Sequence, residues 1–216
     1  MKATIAALAV TGVLAATPSG CAGHADTPHT ATPSSSTDVA GARAALDRLQ
    51  VAPEDTGAHY RRADWPHWTV VAGECDARED TLKRQGSHVT TGPHCAVTGG
   101  SWTSPYDGIT VTRPGALDID HLVPLAEAAR SGTRGWTRAQ REHYANDPAV
   151  LVAVTAKSNR SKGDQDPARW LPALDRCGYA AHWVAVKTAY RMTIDPAEHD
   201  AIAGILAHCP TGSETR

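Results

Sequence analysis

Four cysteines constrain this 216-residue chain most: Cys75, Cys95, Cys177 and Cys209. Together they allow three pairings. Proximity in sequence favours Cys75–Cys95 and Cys177–Cys209, and in an oxidising compartment each pair would close a loop. A second reason supports the later pair. Residues 179–191 carry Ala180, Trp183, Val184, Val186, Lys187 and Tyr190 at helical spacing. Asp195-Pro196 then reads as an N-cap followed by proline at the first helical position, with Ile202, Ile205 and Leu206 lining one face. Cys177 opens the first helix and Cys209 closes the second, so an antiparallel helical hairpin makes them neighbours. A zinc site from Cys75, His88, His94 and Cys95 is the competing reading, weakened because no CxxC pair is present.

The fifth cysteine belongs to an address. Lys2 precedes an apolar, small-residue stretch over residues 3–16, and Thr17-Pro18-Ser19-Gly20-Cys21 follows. This reads as an export signal. Ser19-Gly20-Cys21 also resembles a bacterial lipoprotein box, whose cysteine is lipidated; Pro18 stands where such boxes carry Leu. Cleavage within residues 22–25 is the alternative. The expected organisation is a signal segment at 1–21, a Thr/Pro/Ser-rich tether at 22–40 and one globular domain at 41–212. The chain is 41% hydrophobic and 20% charged, enough for a packed core. Its net charge of −2 excludes a nucleic-acid coat held by overall positive charge, but not an enzyme that grips phosphate locally. With six Trp, five Tyr and no Phe, the large apolar anchors must be Trp, Tyr and Leu.

Local patterns sketch an α+β fold. A short helix face runs through Ala45, Leu46 and Leu49, a strand is expected over residues 68–72, and residues 78–93 read as loop with a short helix. Residues 109–112 and 117–120 alternate on either side of Arg113-Pro114-Gly115, a hairpin signal. A helix over residues 122–130 follows, with Pro124 in its first turn. Residues 137–144 form another, with Thr137 and Gln140 at capping-box spacing, and residues 150–155 are a short apolar run.

The chemistry concentrates in Asp118-Ile119-Asp120-His121-Leu122-Val123-Pro124, in Tyr144-Ala145-Asn146-Asp147 and in Ser158-Asn159-Arg160-Ser161-Lys162-Gly163-Asp164. This order of Asp-His, Asn and Asn resembles the HNH nucleases of the ββα-metal type. More closely, it resembles a secreted bacterial HNH family that shares the C-terminal domain of GmrSD-type restriction endonucleases. Asp-His-x-x-Pro and Asn-Arg-x-Lys-Gly carry the resemblance. It extends to Gly73-Glu74-Cys75-Asp76-x-Arg78, to Ser104-Pro105-Tyr106-Asp107-Gly108, and to Asp166-Pro167 with Trp170, so it spans most of residues 59–209. The last position is Asn159 rather than the His of the family name.

The resemblance implies a ββα-metal core with a small antiparallel hairpin, extra helices and the disulfide-linked helical hairpin. It also implies an exported, metal-dependent endonuclease of low sequence specificity. Histidine titrates near working pH, so His121 suits a general base. Asp120 and the amide oxygen of Asn159 suit a hard cation, Mg²⁺ first and Mn²⁺ as the alternative. Asn146 would orient the loop presenting His121, and Arg160 and Lys162 would contact phosphate. The expected partner is nucleic acid, DNA ahead of RNA, with membrane attachment through Cys21 and no obligate protein partner. Asp118, Asp164 and Asp166 read as structural or solvent-facing, and Trp136 or Trp170 as core or as a surface for base stacking. The rival functions are a phosphodiesterase acting on a smaller ester and a non-catalytic envelope-binding module.

Overall fold

The computed structural model describes residues 39–210. The signal segment with Cys21, and the tether up to residue 38, lie outside the described residues. The first helix, α1 (Val39–Leu46), begins two residues before the expected domain boundary, with Val39 already buried. The chain continues through β1 (Val70–Ala72), β2 (Cys75–Asp76), α2 (Ala77–Gln85), β3 (Ser87–Thr91), β4 (Val97–Thr103) and β5 (Thr110–Val111). Then come β6 (Leu117–His121), α3 (Leu125–Arg130), α4 (Arg138–Asn146), β7 (Leu151–Thr155), α5 (Ala156–Lys162), α6 (Arg176–Ala189) and α7 (Pro196–Ala207). The expected α+β character holds. Residues 78–93 are more ordered than a loop: they hold most of α2, capped by Asp76, and all of β3.

The strands form three small antiparallel sheets, β1-β2, β3-β4-β5 and β6-β7. The hairpin expected between residues 109–112 and 117–120 does not form. β5 pairs with β4, and a tight turn at Pro114–Ala116 carries the chain on to β6. The partner of β6 is β7, in the register Leu117↔Thr155 to His121↔Leu151. Helix α5 follows β7 directly, making a strand–strand–helix unit with α3 and α4 inserted between its strands.

β7 is apolar from Leu151 to Val154, and both of its faces are covered. Val152 and Val154, with Val150 just before the strand, enter the larger core with the helices. Leu151 and Ala153 enter a smaller core with Leu82, Trp102, Leu117 and Ile119. Strand alternation thus splits one run of side chains between two cores. On β6 the same period sends Leu117 and Ile119 inward and leaves Asp118 and Asp120 for α5.

Helix ends follow their local chemistry. Thr137 and Gln140 form the capping box of α4, and Asp195 caps α7 ahead of Pro196. Cys177–Cys209 ties the start of α6 to the end of α7 with Cα atoms 5.8 Å apart. Cys75–Cys95 ties β2 to the turn before β4 at 5.0 Å. The zinc reading falls with that bond, since both of its thiolates are used. No helix among the described residues is long and apolar enough to cross a membrane.

Candidate active site

The strand–strand–helix unit places the sequence-predicted residues around β6. Asn159 and Lys162, one turn apart on α5, face the acidic side of β6. The Asn159 Nδ2 donates to Asp118 Oδ2 at 3.1 Å. Lys162 Nζ donates to Asp120 Oδ1 at 2.9 Å and to the His121 carbonyl at 3.0 Å. Tyr106 donates its hydroxyl to the other Asp120 oxygen at 2.6 Å.

Two expectations change here. Lys162 is not a surface cation reaching for phosphate, because it is 0% exposed and closes a buried ion pair with Asp120. Burial pushes the Asp120 carboxyl up and the Lys162 ammonium down, and their mutual contact opposes both shifts. Asp120 is correspondingly engaged at both oxygens, and no hydrogen bond joins it to Asn159 among the described residues. The carboxylate beside Asn159 is Asp118, whose side chain is 31% exposed. A sequence pattern cannot separate two aspartates two residues apart on one strand face. Arg160 keeps its expected exposure, at 77%, and lies 3.7 Å from Asp118.

His121 ends β6 in a buried setting. Its Nε2 lies 2.9 Å from the carbonyl oxygen of Ala145. A carbonyl only accepts, so Nε2 carries the proton and Nδ1 holds the lone pair. Burial lowers its pKa to about 3, so the ring is neutral across ordinary working pH but, contrary to expectation, titrates well below it. Two aromatic rings lie nearly parallel to it: Trp68 at 5.9 Å and 27°, and Tyr144 at 6.5 Å and 20°.

Asn146 sits at the end of α4. Its Nδ2 donates to the Pro66 and Glu142 carbonyls at 2.9 and 2.7 Å, and its Oδ1 accepts from Thr69 N at 3.0 Å. Its side chain therefore braces the segment through Trp68; the expectation had it orient the hairpin loop presenting His121.

Tyr106 and Asp107 gain roles that the sequence did not reveal. In Ser104-Pro105-Tyr106-Asp107-Gly108, Tyr106 holds Asp120. Asp107 accepts from Thr155 Oγ1 at 2.5 Å and from Ser158 Oγ at 2.8 Å, pinning the corner between β7 and α5. Trp136 packs with Trp65, Tyr144 and Tyr190, and Trp170 with Tyr106 and Tyr179, so both serve the core. Asp164 pairs with Arg130, and Asp166 accepts from Ala168 N in the turn after Pro167. Asp166 also lies within a cluster with Glu54 and Glu127. The two glutamates of that cluster are already answered by Arg130 and Lys187.

The fold and site define a disulfide-tied α+β domain whose strand–strand–helix unit carries a neutral histidine at the end of β6 and an Asp118–Asn159 pair between β6 and α5. The chain belongs to the family described as GmrSD restriction endonucleases, C-terminal domain, whose model matches residues 76–205. It is also 41% identical over 182 residues to a protein of Arthroderma benhamiae described as an uncharacterized secreted protein. That match covers 82% of this chain and 89% of the relative. No solved structure matches.

Proposed function

We propose that this chain is an exported, metal-dependent endonuclease of the HNH type, hydrolysing phosphodiester bonds in nucleic acid, DNA ahead of RNA. The observation that carries the reading is the His121 imidazole, held neutral with its proton on Nε2, on the same strand–strand–helix unit as Asp118 and Asn159. Family membership supports nuclease chemistry, and the secreted relative and the two disulfides support export.

In this reading His121 Nδ1 takes a proton from the attacking water as its oxygen adds to phosphorus and the bond to the departing ester oxygen breaks. The Ala145 carbonyl faces the opposite nitrogen and stabilises the imidazolium that results. The departing oxygen takes its proton from solvent. Asn159 turns its Nδ2 to Asp118; its Oδ1 and the partly exposed Asp118 carboxylate would be the oxygen ligands of a hard cation that keeps several waters and binds phosphate, which fits Mg²⁺ or Mn²⁺. Asp118 and Asn159 would hold the ion, which neutralises charge building on the phosphate. Asp120, locked to Lys162 and Tyr106, fixes the strand behind them. Exposed Arg160 leaves its weak contact with Asp118 to grip phosphate, which makes binding salt-sensitive.

The test is plasmid cleavage by the oxidised protein with Mg²⁺ or Mn²⁺, with EDTA, and with His121→Ala. Metal-dependent nicking that disappears in the variant supports the reading. A folded, oxidised wild type that cuts neither plasmid, single-stranded DNA nor RNA sinks it.

A further inference from the structure

Three consecutive residues at the end of α4 converge on His121. Tyr144 lies nearly parallel to the imidazole, Ala145 accepts from its Nε2, and Asn146 anchors the segment that carries Trp68 to the ring. The Asn146 side chain bonds the Pro66 carbonyl on one side of Trp68 and the Thr69 amide on the other. Between these ties Trp68 adopts φ +61°, a left-handed conformation that bulky residues rarely take and that costs on the order of 1–3 kcal/mol. The arrangement sets the indole against His121, with the His67 ring edge-on to it at 5.3 Å.

We propose that Trp68 is a positioning residue for His121: clamped by Asn146, it lies with Tyr144 against the imidazole and keeps Nε2 on the Ala145 carbonyl, so that Nδ1 is the nitrogen free to act. The assignment rests on the nuclease reading above. Its physical content is rotational. A half-turn of the ring would exchange Nδ1 with a carbon and pull Nε2 off the Ala145 carbonyl. Two neighbouring rings and one hydrogen bond oppose that turn, and a misplacement of about 1 Å at a reacting group costs roughly 100-fold in rate. The backbone strain at Trp68 is retained because two hydrogen bonds of Asn146, to Pro66 and from Thr69, hold the segment in place.

The experiment combines nitrogen-15 NMR of histidine-labelled, oxidised full chain with oligonucleotide cleavage kinetics. The His121 signals are assigned by their loss in His121→Gln. Wild type should show a single tautomer protonated at Nε2. Trp68→Ala should show averaged tautomers and a kcat lower by roughly 10–100-fold at unchanged KM. Trp68→Phe, which restores a ring, should recover most of both. Trp68→Leu, of intermediate bulk, is the substitute should the alanine variant not fold. A Trp68→Ala protein that keeps one tautomer and wild-type kcat overturns the assignment. A rise in KM alone also overturns it, by making Trp68 a substrate contact. A wild type that cuts nothing, yet whose His121 tautomer responds to Trp68, removes the nuclease reading and leaves the positioning role of Trp68 standing.

Discussion

Lys162→Met separates the two roles open to this side chain. In the structure Lys162 is fully buried, bonded to Asp120 and to the His121 carbonyl. Methionine fills similar volume but leaves the Asp120 carboxylate buried with only the Tyr106 hydroxyl for company. Removing one partner of a buried ion pair costs about 3–5 kcal/mol. For a domain of this size that lowers Tm by roughly 6–20 °C. A surface lysine that contacts phosphate behaves differently: its loss changes stability by less than about 0.5 kcal/mol and makes the slope of log K against log salt shallower by about 0.9. Urea unfolding at pH 7 and fluorescence anisotropy on a duplex oligonucleotide over a salt series measure both quantities. Adding Asp120→Asn should recover part of the lost stability, because the buried charge goes while an acceptor for Tyr106 remains. Arg160→Ala is the matched contrast, near-neutral in stability and shallower in salt slope, since Arg160 is 77% exposed. Unchanged stability with a shallower slope for Lys162→Met would refute the buried-brace assignment.

Three further outcomes follow from the same geometry. Asp118→Asn should weaken Mn²⁺ binding, read by calorimetry or electron paramagnetic resonance, with little loss of stability at a partly exposed side chain; unchanged affinity would remove Asp118 from the ion site. Burial raises Glu198 to about 7 from an ordinary 4.5, with Lys187 opposing the shift. Glu198 therefore takes up a proton on folding between those values, and its contribution to stability falls as pH rises from 4.5 to 7, by about 3 kcal/mol at most. Glu127, held low by Lys187 against the pull of burial, has the opposite sign, and its contribution is lost as pH falls below its ordinary value. Glu198→Gln should flatten the decline between pH 5 and 7 in urea unfolding, and an unchanged slope would contradict the assignment. Replacing Cys177 and Cys209 together by alanine opens a loop with sequence separation 32 and should cost about 4 kcal/mol in the chain-entropy model, against about 3 for Cys75 and Cys95; peptide mapping that joined Cys75 to Cys177 would overturn both pairings.

Features written in short stretches of chain were legible without coordinates. The capping box at Thr137 and Gln140, the Asp195-Pro196 start of α7 and the cysteine pairing all depend on spacings of a few residues or on nearest neighbours. The order of Asp120, His121, Asn146 and Asn159 was legible too, and it led to the family. Strand pairing was not. The period of two in residues 117–121 says which side chains share a face, not which strand lies alongside, and the partner lies beyond two inserted helices at residues 151–155. Nor could the pattern show that Lys162 is buried, since a lysine in a charged segment reads the same facing water or sealed against a carboxylate. Nor could it show that Tyr106 and Lys162 occupy Asp120, the contacts on which the proposal of Asp118 for the ion rests. Trp68 gave no signal at all, because its role comes from Asn146, 78 positions later in the chain. Burial, pairing and ring orientation are properties of contacts between distant segments, and only the folded chain brings those segments together.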